Sequence, residues 1–216
     1  LERALEAFHG LGLAGAEALG SRLAQRSLGP GQAARLGQAL ERLGPASLEA
    51  LRARLELAGS AEAVSALAEA LAASRLPAAV PLLHAALGRL AGETDPARRA
   101  AGAAARAALH HALARLDSRA GLYDLRELLA CRPLPGPADL LAAAAAVGDG
   151  SVARLLLRLA ADEPGLLEAC RKPFATVVRR EKLRRAGRAF KDLSRAEADA
   201  LDRLWPAARA ARSTAP

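Results

Sequence analysis

The sequence predicts an all-α protein: an α–α superhelix, a short solenoid of antiparallel helix pairs with roughly eleven helices in all. Three observations predict it. β-Branched residues are scarce, with no isoleucine, six valines and three threonines among 216 residues, and strands are built largely from β-branched and aromatic side chains. Alanine and leucine number 58 and 41, and both lose little on entering a helix. Apolar residues also recur at i, i+3 or i+4, i+7 along most of the chain, which lays one apolar stripe on each helix.

The elements follow in order. Leu1 to Phe8 reads as a helix, and the glycines from Gly10 to Gly15 as the loop after it. Stripes then run through Leu36, Leu40 and Leu43; Leu48, Leu51 and Leu55; Val64, Leu67 and Leu71; and Leu83, Leu87 and Leu90. Further stripes follow at Leu109, Leu113 and Leu116, at Leu122, Leu125 and Leu129, and at Val152, Leu155, Leu156 and Leu159. Turn chemistry separates them: Gly29-Pro30-Gly31, Gly44-Pro45, Gly59-Ser60, Leu76-Pro77, Asp95-Pro96, Pro133 to Pro137, Gly148-Asp149-Gly150 and Glu163-Pro164-Gly165. Loops this short make sequential helices antiparallel neighbours. The whole of 1–216 reads as one helical-repeat domain, with divergent repeats over 1–75, better-formed repeats over 76–170 and a basic cap over 171–216.

Two segments carry a family resemblance. Leu76 to Leu116 resembles a HEAT repeat, with an outer helix holding a proline and leucines, a turn at Asp95-Pro96, and an inner helix opening with arginine and alanines. Ala97-Arg98-Arg99 stands where that family usually has valine followed by arginine. Val147 to Leu159 looks like the Gly-Asp turn between two such helices, and Cys170 to Phe190 is similar to C-terminal segments of bacterial HEAT-repeat proteins. The resemblance implies an armadillo-type architecture and a role as a scaffold or partner-binding surface. It implies no particular activity.

The residues select no catalytic, cofactor or metal constellation. Gly10-Leu11-Gly12-Leu13-Ala14-Gly15 matches G-x-G-x-x-G, but that fingerprint works only after a strand and before a helix that receives the pyrophosphate. A helix precedes it here. His110 and His111 are adjacent and point about 100° apart on a helix, so they do not readily share a metal. His9 and His84 have no partner at i+3 or i+4. Acidic residues such as Glu2, Glu6, Glu41, Glu49 and Glu56 are spread singly over polar faces, as partners for arginine. A DNA-repair glycosylase on helical repeats would need an aromatic-lined cleft with a carboxylate. Five scattered aromatic residues do not supply one.

Cys131 and Cys170 lack C-x-x-C spacing and read as buried small hydrophobes in a reducing compartment. No apolar run reaches the roughly 18 residues that span a bilayer. A cytoplasmic location is the expectation, although a chain beginning at Leu1 leaves room for a removed targeting segment.

Charge is the most informative functional signal. Residues 1–170 carry 18 basic and 18 acidic residues, whereas the last 46 residues carry 13 and 5. The whole formal net charge of +8 therefore sits at one end. Twenty-eight arginines against three lysines suggest GC-rich coding, but that bias would act along the entire chain. Phasing predicts two short helices that break near Lys182, one burying Phe174, Val177 and Val178 and the next burying Leu183, Ala186 and Phe190. Arg179, Arg180, Lys182, Arg184, Arg185 and Arg188 would then cluster at the junction as an anion- or partner-binding patch. Trp205 is expected to staple the last helix to the core. The function these residues suggest is a non-enzymatic scaffold for an acidic protein partner. The alternative is sequence-independent nucleic-acid binding by the same patch, which lacks the aromatic interleaving of a stacking platform.

Overall fold

The computed structural model describes residues 46–58 and 60–206, together with Arg35. The expected helix at Leu1 to Phe8, the Gly10 to Gly15 motif and the Leu36, Leu40, Leu43 stripe lie outside the described residues. Among those described, ten α-helices form and no strand does. They are α1 (Ala46–Leu57), α2 (Ala61–Ala73), α3 (Ala79–Ala91), α4 (Pro96–Ala101), α5 (Ala103–Arg115), α6 (Leu122–Ala130), α7 (Pro137–Val147), α8 (Gly150–Asp162), α9 (Leu167–Arg180) and α10 (Arg195–Leu204). Two 3₁₀ turns, Pro164–Leu166 and Arg188–Phe190, complete the set.

Four of the described helices start where a side chain satisfies free N–H groups of the first turn. Ser60 accepts from the Ala63 N–H at 3.2 Å, and Asp95 accepts from Ala97 and Arg98 ahead of Pro96. Asp149 accepts from Ser151 and Val152. Ser194 and Glu197 form a reciprocal capping box on α10. Helix ends are less conventional. After α9 the Leu183 N–H returns to the Val178 carbonyl and the Lys182 N–H to Arg179, a Schellman closure with Lys182 at φ +51°. Asp117 closes α5 in the same way at φ +54°.

The helices stack in two rows. α2, α5, α7 and α9 form one row in successive contact, while α6, α8 and α10 form a second beside it, with α1 and α3 paired at its other end. Contacts between alternate helices are what a superhelix of antiparallel pairs requires. The apolar stripes point inward as expected: Leu51, Leu67, Leu71, Leu83, Leu109, Leu125, Leu129, Val152, Leu156 and Leu159 are all buried. Each such leucine adds roughly 1.5–3 kcal/mol relative to an exposed one.

Four expectations change in detail. The inner helix opening at Asp95-Pro96 is interrupted at Gly102, giving α4 and then α5. Glycine is a poor helix residue, and α4 buries nothing that would hold it in line with α5. The segment after Lys182 forms no second α-helix; it runs as turns with one 3₁₀ turn, and Ala186 is exposed. Pro-free but glycine-interrupted at Gly187, it is held by its anchors rather than by a helical ladder, with Phe190 buried and Leu183 half-buried. Cys170 is buried, and burial together with nearby Glu163 pushes its thiol up to about 11. Cys131, by contrast, is exposed at the end of α6.

The fourth concerns charge inside the core. The buried apolar residues fall into two clusters that meet at α5, which sends Ala105, Leu109, Ala112 and Leu113 to one and Ala107 and Ala114 to the other. At that seam Arg106 and His110 are buried and converge on Asp124 of α6. Asp124 Oδ2 lies 2.7 Å from His110 Nε2, and Arg106 engages both carboxylate oxygens. Burial raises the Asp124 carboxyl, but the bonds from His110 and Arg106 outweigh it and hold the group below its ordinary value.

Candidate docking surface

The basic end is built on α9, the turn that follows it and the strap leading to α10. The structure divides the six residues of the sequence-predicted patch into two sets. Arg180 and Arg185 fasten the fold. Arg180 donates to the Ala145 carbonyl at 2.7 Å and also to those of Ala146 and Gly148, closing the carboxyl end of α7. Arg185 donates to the Trp205 carbonyl and pairs with Asp202. A cation at a helix carboxyl end satisfies free carbonyls and complements the dipole. Arg89 does the same for α1 through Leu55 and Glu56, and Arg171 does so for α10 through Arg203. Part of the arginine excess is therefore structural.

Arg179, Lys182, Arg184 and Arg188 form the other set. All four are exposed and make no ion pair with another described residue. Glu181, the sole acidic residue between Arg171 and Lys191, is shared between Arg119 at 3.1 Å and Arg180 at 3.4 Å. It leaves the four exposed cations uncompensated.

Sequence reasoning missed the neighbouring cations of α8. Arg154 and Arg158 stand one helical turn apart, on the same face. Together with Arg188 they border an open groove of about 630 Å³, which Gly150, Ser151, Leu155 and Ala189 also line. Glu197 of α10 lies beneath, with Arg154 at 3.3 Å and Arg158 at 3.5 Å. Burial raises the Glu197 carboxyl, yet the Ser194 N–H and hydroxyl and the two arginines hold it below its ordinary value. The i, i+4 spacing of the two arginines was the available signal. The return of the 188–190 turn to α8 was not legible.

The aromatic residues at this end face inward. Phe174 and Phe190 are buried, and their ring centroids lie 6.3 and 6.1 Å from that of Trp205. Trp205 thus joins the last helix to the core, and no described aromatic ring lines the groove. His111 sits half-exposed with Asp139 at 3.2 Å. Among the described residues no group of three or more metal-ligating side chains gathers, and no helix is long and apolar enough to cross a membrane.

Comparison with protein-family models, curated proteins and solved structures returns no match to this chain.

Proposed function

We propose that this chain is a non-enzymatic interaction scaffold of the HEAT-like kind, acting in the cytoplasm and docking an acidic protein partner at its basic C-terminal end. The observation that carries this reading is the set Arg179, Lys182, Arg184 and Arg188. These four cations lie at the end of α9 and on the turns after it, beside the anchors Arg180 and Arg185, and no described acidic side chain pairs with them. Charge displayed in that way accelerates encounter with an oppositely charged surface and makes binding salt-sensitive. At the basic end Phe174, Phe190 and Trp205 pack on one another rather than between the exposed cations, and that supports a protein partner over nucleic acid there.

The test is capture from native lysate with the full chain as bait, at low and high salt and with and without nuclease. The expected result is a defined protein retained at low salt, unaffected by nuclease and lost when Arg179, Lys182 and Arg184 are all changed to Glu. Retention unchanged by that triple reversal would remove the electrostatic docking role. Retention abolished by nuclease would transfer the patch to nucleic acid.

A further inference from the structure

We infer that the groove between the start of α8 and the 188–190 turn is the seat for a short acidic segment of a protein partner. A carboxylate would lie between Arg158 and Arg188 and an apolar side chain against Leu155 and Ala189. The inference rests on the docking reading above and assigns it a place.

The three arginines of the groove have different work. Arg154 is saturated: its Nη1 donates to the Lys191 carbonyl at 2.7 Å, its Nη2 to Asp192 at 3.3 Å, and its Nε to Glu197 at 3.3 Å. It pins the strap from Ala189 to Asp192 onto α8 and so fixes the wall that carries Arg188. Glu197 is occupied as well, by the Ser194 N–H at 2.8 Å and by Arg154.

Arg158 is different. Its side chain is 55% exposed, its Nε is 3.5 Å from Glu197, and it makes no hydrogen bond with another described residue. Arg188 is exposed at the same groove and, unlike Arg158 with its ion pair to Glu197, has no described acidic partner. Two guanidinium forks with donors to spare, on walls fixed by a third, form a preorganised receptor for a carboxylate.

The remaining lining sets the class of ligand. Every charged residue of the groove is a cation, and the others, apart from Ser151, are apolar or glycine. The Ser151 hydroxyl is committed to Asp149 at 2.6 Å. Such a lining suits a segment that alternates carboxylate and apolar side chains. The groove is open to solvent over most of its boundary, which suits an extended segment rather than an enclosed small molecule. The exposed turn is adjacent, since Leu183 Cδ2 stands 3.5 Å from where a β-carbon on Gly150 would lie. Arg179, Lys182 and Arg184 therefore steer the segment, and Arg158 and Arg188 hold it.

The experiment measures fluorescence anisotropy of a labelled peptide of alternating glutamate and leucine, titrated with the full chain. The Arg158→Gln, Arg188→Gln double variant, checked for unchanged helical circular dichroism and melting, should weaken binding about ten-fold or more through faster dissociation. The Arg179→Glu, Lys182→Glu variant should act mainly by slowing association. Four results would overturn the assignment: no saturable binding, equal binding of the glutamine–leucine peptide, no effect of the groove variant, or tighter binding of an oligonucleotide of similar length. If the groove variant still captures the lysate partner while the Arg179, Lys182, Arg184 reversal does not, the docking reading stands and the groove falls.

Discussion

Among the described residues up to α5 the buried core consists of leucine, alanine and Val64, whereas past α8 it closes on Phe174, Phe190 and Trp205, with Phe174 and Phe190 5.8 Å apart at their centroids. The contrast follows the backbone. In the first region small side chains let regular helices approach closely, and many modest contacts add up. In the second the chain leaves α-helical geometry between Arg180 and Arg195, apart from the 3₁₀ turn at Arg188–Phe190, and aromatic rings join the core there. Alanine packing therefore tolerates little added volume, and aromatic packing tolerates little removed volume.

That comparison can be broken at four points. Asp124→Ala removes the carboxylate that joins the two cores and leaves Arg106 and His110 buried without it, costing about 3–5 kcal/mol. Denaturant midpoints measure this, and a loss below about 1 kcal/mol would mean that the seam relaxes freely. The cost should also depend on pH. A carboxyl held below its ordinary value of 3.8 stabilises the fold fully above that value, and the stabilisation drains away as pH falls through the still lower folded value. Wild type and variant should accordingly converge in strong acid.

Phe174→Ala, in the aromatic region, should cost roughly 3–5 kcal/mol and leave a cavity beside Trp205. Intrinsic tryptophan fluorescence would shift with it, since Trp205 is the sole tryptophan. The opposite change, Ala107→Leu, tests the close packing of alanine-rich α5 against the start of α7, at the near edge of the second cluster. A β-carbon on Gly136, which sits at φ +52°, would come within 2.9 Å of Ala107 Cβ, so the helices have no slack there. About 1–3 kcal/mol of overpacking strain is expected by thermal melting. Lys182→Gly gives the smallest effect, a gain of up to about 1 kcal/mol, because glycine takes the left-handed position without the steric cost that lysine bears. A measurable destabilisation would instead show that the lysine side chain supports the turn.

Much of the fold was legible because local rules decide it. Ser60, Asp95, Asp149 and Ser194 cap helices through backbone groups two or three residues away, and the stripes of leucine fix which face turns inward. The break near Lys182 was legible too, from the phase of Phe174 against Phe190. The division of the basic patch was not. Arg180 is consumed by carbonyls 32 to 35 residues upstream, and a carbonyl leaves no mark in a sequence. The His110–Asp124 contact was hidden for a related reason. A buried pair 14 residues apart on consecutive helices looks, residue by residue, like two solvated polar side chains. Arg154 and Arg158 show the limit from the other side: their shared face was readable, but the strap that completes the groove arrives from more than 30 residues downstream.

The position of α5 has one further consequence. It is buried along nearly its whole length yet mostly alanine, so backbone contact rather than side-chain bulk sets the spacing of the layers on either side. A helix of that kind acts as a gauge block. One added methylene at Ala107 would press on the layer of α7, and one at Ala112 on the α1–α3 side, so either would alter how far the basic end stands from α1 to α3.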